Sequence, residues 1–177
     1  RLTPIPDRLS YGQAATMTQS YATAWFALTR RTVVRPEEWV LVLGAAGGVG
    51  LAMLDVARCL GAQTIAAASN DQKLRLCIER GAHSVIDYST EDLKERAREL
   101  TNGGVDVAVD PVGGDLADPA LRSLRNFGRL LVIGFASGTI PRLAANQVLL
   151  RNRSVLGVDW GAWAMADPEG NAAVLAE

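Results

Sequence analysis

Apolar residues in this chain come in short unbroken runs, each closed by glycine, proline or charge. Such runs stand at 39–43 (Trp-Val-Leu-Val-Leu), 64–68 (Thr-Ile-Ala-Ala-Ala), 84–87, 105–110, 129–135 and 154–159. Their brevity and near-continuous hydrophobicity predict strands buried on both faces. Between them the apolar positions recur at helical spacing, which predicts helices over 50–60, 71–80, 92–100, 115–124 and 143–150. Gly61, Gly81 and Asn102-Gly103-Gly104 supply helix stops. One more helix is predicted over 10–31, with Tyr21, Trp25, Phe26 and Leu28 as its large apolar contacts, followed by a turn at 35–38. Strand and helix alternate throughout. The fold class this predicts is α/β: a Rossmann-type, doubly wound, mostly parallel sheet with helices on both faces.

In such a fold ligands sit at the carboxyl ends of the strands, so the strand tips carry the candidate chemistry. The first strand runs into Gly44-Ala45-Ala46-Gly47-Gly48-Val49-Gly50 and then a helix. A glycine turn that opens a helix presents backbone N–H groups to a pyrophosphate. Gly47 lets the backbone approach the ligand, and Gly50 lets the helix pack on the strand. The G-x-G-x-x-G spacing is not strict, because Ala45 replaces its first glycine and Gly44 stands one residue earlier. The turn therefore either keeps a negative φ at Ala45 or tolerates strain there. An ordinary glycine loop is the plain alternative. A phosphate loop of the Walker A kind is excluded, since no Lys-Ser or Lys-Thr follows the glycines.

The second strand ends at Ser69-Asn70, with no carboxylate at its tip for a ribose 2′-hydroxyl. A 2′-phosphate would meet no repulsion there. Ser69 can donate to it, Lys73 can return from the next helix as a point charge, and Tyr88 follows the third strand; Arg75 is a weaker candidate. NADPH is accordingly preferred over NADH. The same residues also read as a helix cap (Ser69), a solvated charge (Lys73) and core trim (Tyr88). Two further tips, Asp110-Pro111-Val112-Gly113-Gly114 and Ile133-Gly134-Phe135, put Val112, Ile133 and Phe135 beside the expected ribose and nicotinamide, with plain turn chemistry as the alternative. Asp110 reads as a turn brace in preference to a general base.

The rest of the composition narrows the class. The chain has 177 residues, is 49% hydrophobic and 21% charged, and carries a formal net charge of -1. It has no basic block, which argues against nucleic acid as a partner. No apolar run is long enough for a membrane span, and the start does not read as a signal peptide. Cys59 and Cys77 form no CxxC pair and are expected to be buried thiols in a reducing, cytoplasmic setting. His83 is the only histidine, so a three-ligand catalytic zinc site is not expected, nor is a Ser-His-Asp triad, as no G-x-S-x-G occurs. No catalytic acid or base is assigned. Residues 1–7 read as a linker and 172–177 as a helix cut part-way, so a piece of a longer enzyme is expected.

These motifs together resemble the cofactor domain of zinc-independent medium-chain dehydrogenases/reductases, in the quinone oxidoreductase (zeta-crystallin-like) branch. The resemblance covers about 4–163. It rests on 40–50, on Ala66-Ala67-Ala68-Ser69 with Lys73, on Gly81-Ala82-His83 leading to Asp87-Tyr88, on Val105-Asp106-Val107 leading to 110–114, and on Gly128-Arg129-Leu130 leading to Gly134-Phe135. It implies 2′-phosphate roles for Ser69, Lys73 and Tyr88, and a place near the nicotinamide for Thr23. It puts Gln19 where zinc-dependent relatives carry a ligating cysteine. It further implies a division into a linker and leading helix (1–35), an NAD(P)-binding domain (36–163) and the start of a return to a missing catalytic domain (164–177). The implied partner is a small electrophile (a quinone, enone or enoyl thioester) reduced by NADPH. A homodimer through the edge strand near 155–159 is implied as well. An enoyl reductase of a fatty-acid or polyketide-type enzyme, a zinc-type alcohol dehydrogenase and a non-catalytic NADPH-binding module remain the alternatives.

Overall fold

The computed structural model describes Ile5 and residues 7–177. The linker expected at 1–7 lies largely outside the described residues. Six strands form one sheet: β1 (Trp39–Leu43), β2 (Gln63–Ala68), β3 (Ser84–Asp87), β4 (Val105–Asp110), β5 (Leu124–Val132) and β6 (Ser154–Gly157). Their order is β3-β2-β1-β4-β5-β6, and every neighbouring pair is parallel. This is the doubly wound arrangement expected from the alternation, with the reversal of strand order between β1 and β4.

The helices are α1 (Tyr11–Phe26), α2 (Gly48–Cys59), α3 (Asp71–Glu79), α4 (Leu93–Leu100), α5 (Ala117–Ser123), α6 (Ala145–Leu149), α7 (Trp160–Ala166) and α8 (Pro168–Ala176). Side-chain alternation along β1 splits the core in two. Val40 and Val42 pack with α1, α2 and Trp163 on one face. Leu41 and Leu43 pack with Leu93, Ala97, Ala120 and Leu121 of α4 and α5 on the other. Both faces of the sheet are covered, which is why these strands are apolar at nearly every position.

The structure departs from the sequence expectations in several places; β6 stops at Gly157, short of the expected 159, and a helix, α7, follows it where none was expected. The helix expected over 10–31 starts from a Ser10–Gln13 capping box and changes at Phe26 into a π-turn, Ala27–Arg31, where the Thr32 N–H reaches back to the Ala27 carbonyl (3.1 Å). β5 occupies Leu124–Val132 and not 129–135. Its start, Leu124-Arg125-Asn126-Phe127, lacks a continuous apolar run, and its expected end lies past the sheet: the Ile133 N–H makes the last ladder bond, to the Asp110 carbonyl (2.9 Å), and the chain then turns off, with Ala136 N–H on the Pro111 carbonyl (3.1 Å). The helix expected over 115–124 divides into a 3₁₀ turn, Gly114–Leu116, and α5. Cys59 is exposed, contrary to the expectation, while Cys77 is buried. Cys59 is the last residue of α2, next to the exposed Arg58; the buried face carries Ala52, Met53, Val56 and Ala57.

Candidate functional site

The turn between β1 and α2 resolves the irregular glycine spacing. Gly44 takes the positive φ (55°), while Ala45 is not among the residues in that region and stays fully buried. The Ala45 N–H donates to the Ala67 carbonyl of β2 (3.1 Å), which ties the turn to its neighbour strand. Gly47 is the N-cap of α2 and brings no side chain to it. The first α-helical bond runs from Leu51 N–H to the Gly47 carbonyl (2.8 Å). The amides of Gly48, Val49 and Gly50 precede that bond and have no carbonyl of their own helix to use. A Cβ on Gly50 would lie 2.6 Å from the Gly44 carbonyl oxygen and 2.7 Å from Ala45, so Gly50 is a close-packing glycine. The result is an open, positively polarised helix end at the carboxyl edge of the sheet.

A first cavity of about 930 Å³ lies on the β2 side of this turn and is lined by Gly44, Ala46, Gly47, Lys73, Arg75 and Tyr88 among others. Asn70, and not Ser69, caps α3, accepting from Lys73 N–H at 3.0 Å. The Ser69 side chain has another partner: Lys73 Nζ donates to Ser69 Oγ at 3.0 Å. The ammonium and the hydroxyl are thus held together at the tip of β2. Asp71 also lines this cavity, one residue beyond the cap.

A second cavity of about 880 Å³ lies on the other side of the α2 end. It brings together Thr23 from α1, Val49 from α2 and the Ile133-Gly134-Phe135 segment after β5, with Gln19 on the same wall. The expected residues thus separate into two groups, one on either flank of the glycine turn. Val112 sits behind Gly44, where a Cβ on the glycine would meet its Cγ2 at 2.9 Å. Arg31, Trp160 and Trp163, which also line the second cavity, were not singled out from the sequence as site residues. They arrive there through the π-turn and through the packing of α7 on α1. Neither leaves a local sequence signal.

Asp110 is 1% exposed, and its Oδ1 accepts from Val112 N–H (2.9 Å) and Gly113 N–H (2.7 Å). Burial pushes its carboxyl above the ordinary range against the pull of those two donors. It braces the loop, as the sequence led one to expect. The described residues do not fit a zinc site: among them no three His, Cys, Asp or Glu side chains converge. His83 lies at the opposite end of the sheet with Nδ1 accepting from the Thr64 N–H (3.0 Å), and Gln19 offers only a carboxamide. No helix among the described residues is long and apolar enough to cross a membrane.

A family model described as zinc-binding dehydrogenase matches residues 48–175. The chain is 48% identical to quinone oxidoreductase-like protein 2 of Bos taurus over 159 residues, which cover 89% of this chain and 46% of the bovine protein. It is 41% identical to the 2-haloacrylate reductase of a Burkholderia species over 66% of this chain and 35% of that protein. Among solved structures, Escherichia coli quinone oxidoreductase complexed with NADPH superposes with a TM-score of 0.83 at 31% identity, covering 90% of this chain and 50% of that one. The chain spans about half the length, or less, of these relatives.

Proposed function

This chain belongs to the zinc-binding dehydrogenase family, within the zinc-independent, quinone oxidoreductase-like branch of the medium-chain dehydrogenases/reductases, and from that premise we propose that it is the NADPH-binding domain of an oxidoreductase that reduces quinones or activated alkenes. The observation that carries this reading is the Lys73–Ser69 pair beside the open end of α2, with no carboxylate at the β2 tip. The glycine turn and the amides of Gly48 and Val49 hold the pyrophosphate. Ser69, Lys73 and Tyr88 hold the 2′-phosphate. Val112 borders the ribose, and Thr23, Ile133 and Phe135 surround the nicotinamide. When bound, the cofactor supplies the hydride. The chain's own part is to orient the ring and keep water from it: Asp110 shapes the loop through backbone bonds, and no residue here is assigned as acid or base.

The acceptor of this reading is a small electrophile, and the name of the Burkholderia relative favours activated alkenes alongside quinones. The acceptor pocket would be completed by a domain outside 1–177, with 36–163 as the nucleotide unit and 164–177 as the start of the return. A homodimer formed along β6 and a cytoplasmic setting complete the proposal. The test is calorimetric titration of the chain with NADPH and NADH side by side. Clear preference for NADPH supports the reading; equal affinities or preference for NADH overturns the 2′-phosphate assignment.

A further inference from the structure

The walls of the second cavity are mostly apolar, with Phe26, Ile133, Phe135 and Trp160 among them. Two charged side chains interrupt them, Asp159 and Arg31. Asp159 is engaged in holding the fold, since its Oδ1 caps α7 by accepting from Ala162 N–H at 2.9 Å. Arg31 is the last residue of the π-turn, and its Nε donates to the carbonyl of Gly157 at the end of β6 (2.8 Å). Its neighbour Arg30 forms an ion pair with Glu177 at 2.6 Å. Arg31, among the described residues, has no carboxylate partner, although it stands on the same turn. The widened π geometry matters here, because such turns displace a residue from the regular helical path and recur at functional sites.

A guanidinium tied by Nε keeps its two terminal nitrogens as a planar fork, which matches a carboxylate in two-point geometry. The tie also fixes the side chain in advance, so less conformational freedom is lost on binding. We propose that Arg31 selects the acceptor: it binds the carboxylate of an unsaturated acid whose reactive carbon lies at the nicotinamide end of the same cavity. This rests on the cofactor reading above and adds the acceptor's charge to it. Asp159 on the same wall opposes an anion, and Arg31 is itself exposed, so the selection is modest in the chain alone.

The test titrates the 177-residue chain with crotonate and with crotonamide, its uncharged counterpart, in the presence and absence of NADP⁺, following the indole ¹⁵N–H signal of Trp160. Crotonate is expected to bind about fivefold more tightly than crotonamide. Arg31→Gln keeps a donor for the Gly157 carbonyl and removes the charge, so it should bring that ratio to about one while NADP⁺ affinity stays within about twofold; Arg31→Lys should retain part of the ratio. Equal binding of the two probes, no response to either, or a preference that survives Arg31→Gln overturns the proposal. Should NADP⁺ itself fail to bind, the cofactor reading falls, and the crotonate-to-crotonamide ratio on the bare chain, wild type against Arg31→Gln, still decides the role of Arg31.

Discussion

Lys73 and Gly50 carry opposite kinds of information at single positions. Lys73 is a charge whose partner Ser69 keeps it at the strand tip. Hydrogen bonds to a charged group contribute about 1.5–3 kcal/mol, so Lys73→Ala should weaken NADPH binding by roughly ten- to a hundredfold and leave NADH nearly unchanged. The paired titrations measure that difference directly; equal loss for both cofactors would count against the assignment. Gly50 acts by having no side chain. Its Cβ would press on backbone at 2.6–2.7 Å, and backbone cannot rotate aside. Gly50→Ala should therefore destabilise the fold by about 1–3 kcal/mol and weaken both cofactors alike, as read by denaturant unfolding and titration. Both positions were legible in the sequence, because glycine spacing and a missing strand-tip carboxylate are local patterns. Arg31 was not, since its place depends on a π-turn and on a carbonyl 126 residues away.

Elements are joined here by a few polar contacts laid over the two apolar cores. Tyr21 of α1 donates to Asp55 of α2 at 2.6 Å, and burial together with that carboxylate pushes the phenol up to about 12, so it stays a donor. Glu38, just before β1, receives both terminal nitrogens of Arg129 from β5, at 2.7 and 3.1 Å. Burial of Glu38 works against its ionisation, but Arg129 and the Arg35 amide outweigh it and hold the carboxyl below its ordinary 4.5. A carboxyl lowered in the folded state stabilises above its unfolded value, and the gain is lost as pH falls through the folded one. The contact is therefore complete at pH 7 and disappears in acid below 4.5. Glu38→Gln should cost about 1 kcal/mol at pH 7 and progressively less as the pH is lowered below 4.5, as shown by urea unfolding across a pH series from neutral into acid. A cost that does not change across the series would mean that packing, and not charge, holds this corner. The alternation of strands and helices was readable from periodicity alone. The start of β5 was not: Arg125 and Asn126 look like loop, yet they sit in a strand that pairs through a register shift between Val105 and Val107.

At the scale of the molecule, β6 closes one side of the sheet with its outer edge unpaired within the chain. Around it Val155 is 39% exposed, and Leu149 and Leu150 are 75% and 71% exposed. An apolar sheet edge of this kind pairs readily with another chain. On the proposed dimer, Val155→Lys should raise the dimer dissociation constant about tenfold or more, seen by light scattering across a dilution series. An unchanged mass profile would remove β6 from the interface. The far end of the chain is fastened by aromatic and carboxylate contacts: Phe26 stacks on Trp163 at 4.5 Å, Trp160 donates to Asn171, and Trp25 and Arg30 both reach Glu177. Periodicity foretold the sheet, but this fastening depends on distant residues meeting, and nothing local announces it.

The strand order also has a history in time. β1 lies mid-sheet, yet only one of its two neighbours, β2, follows closely along the chain; Val40 must wait for Val107 to complete the other side. While the polypeptide is being made, β1, β2 and β3 can associate first, with a fully apolar strand still lacking a partner along one flank. Closing that gap is a long-range, slow event compared with local helix formation. The interval before β4 arrives is when nascent chains of this kind are most vulnerable to sticking together and most in need of a chaperone.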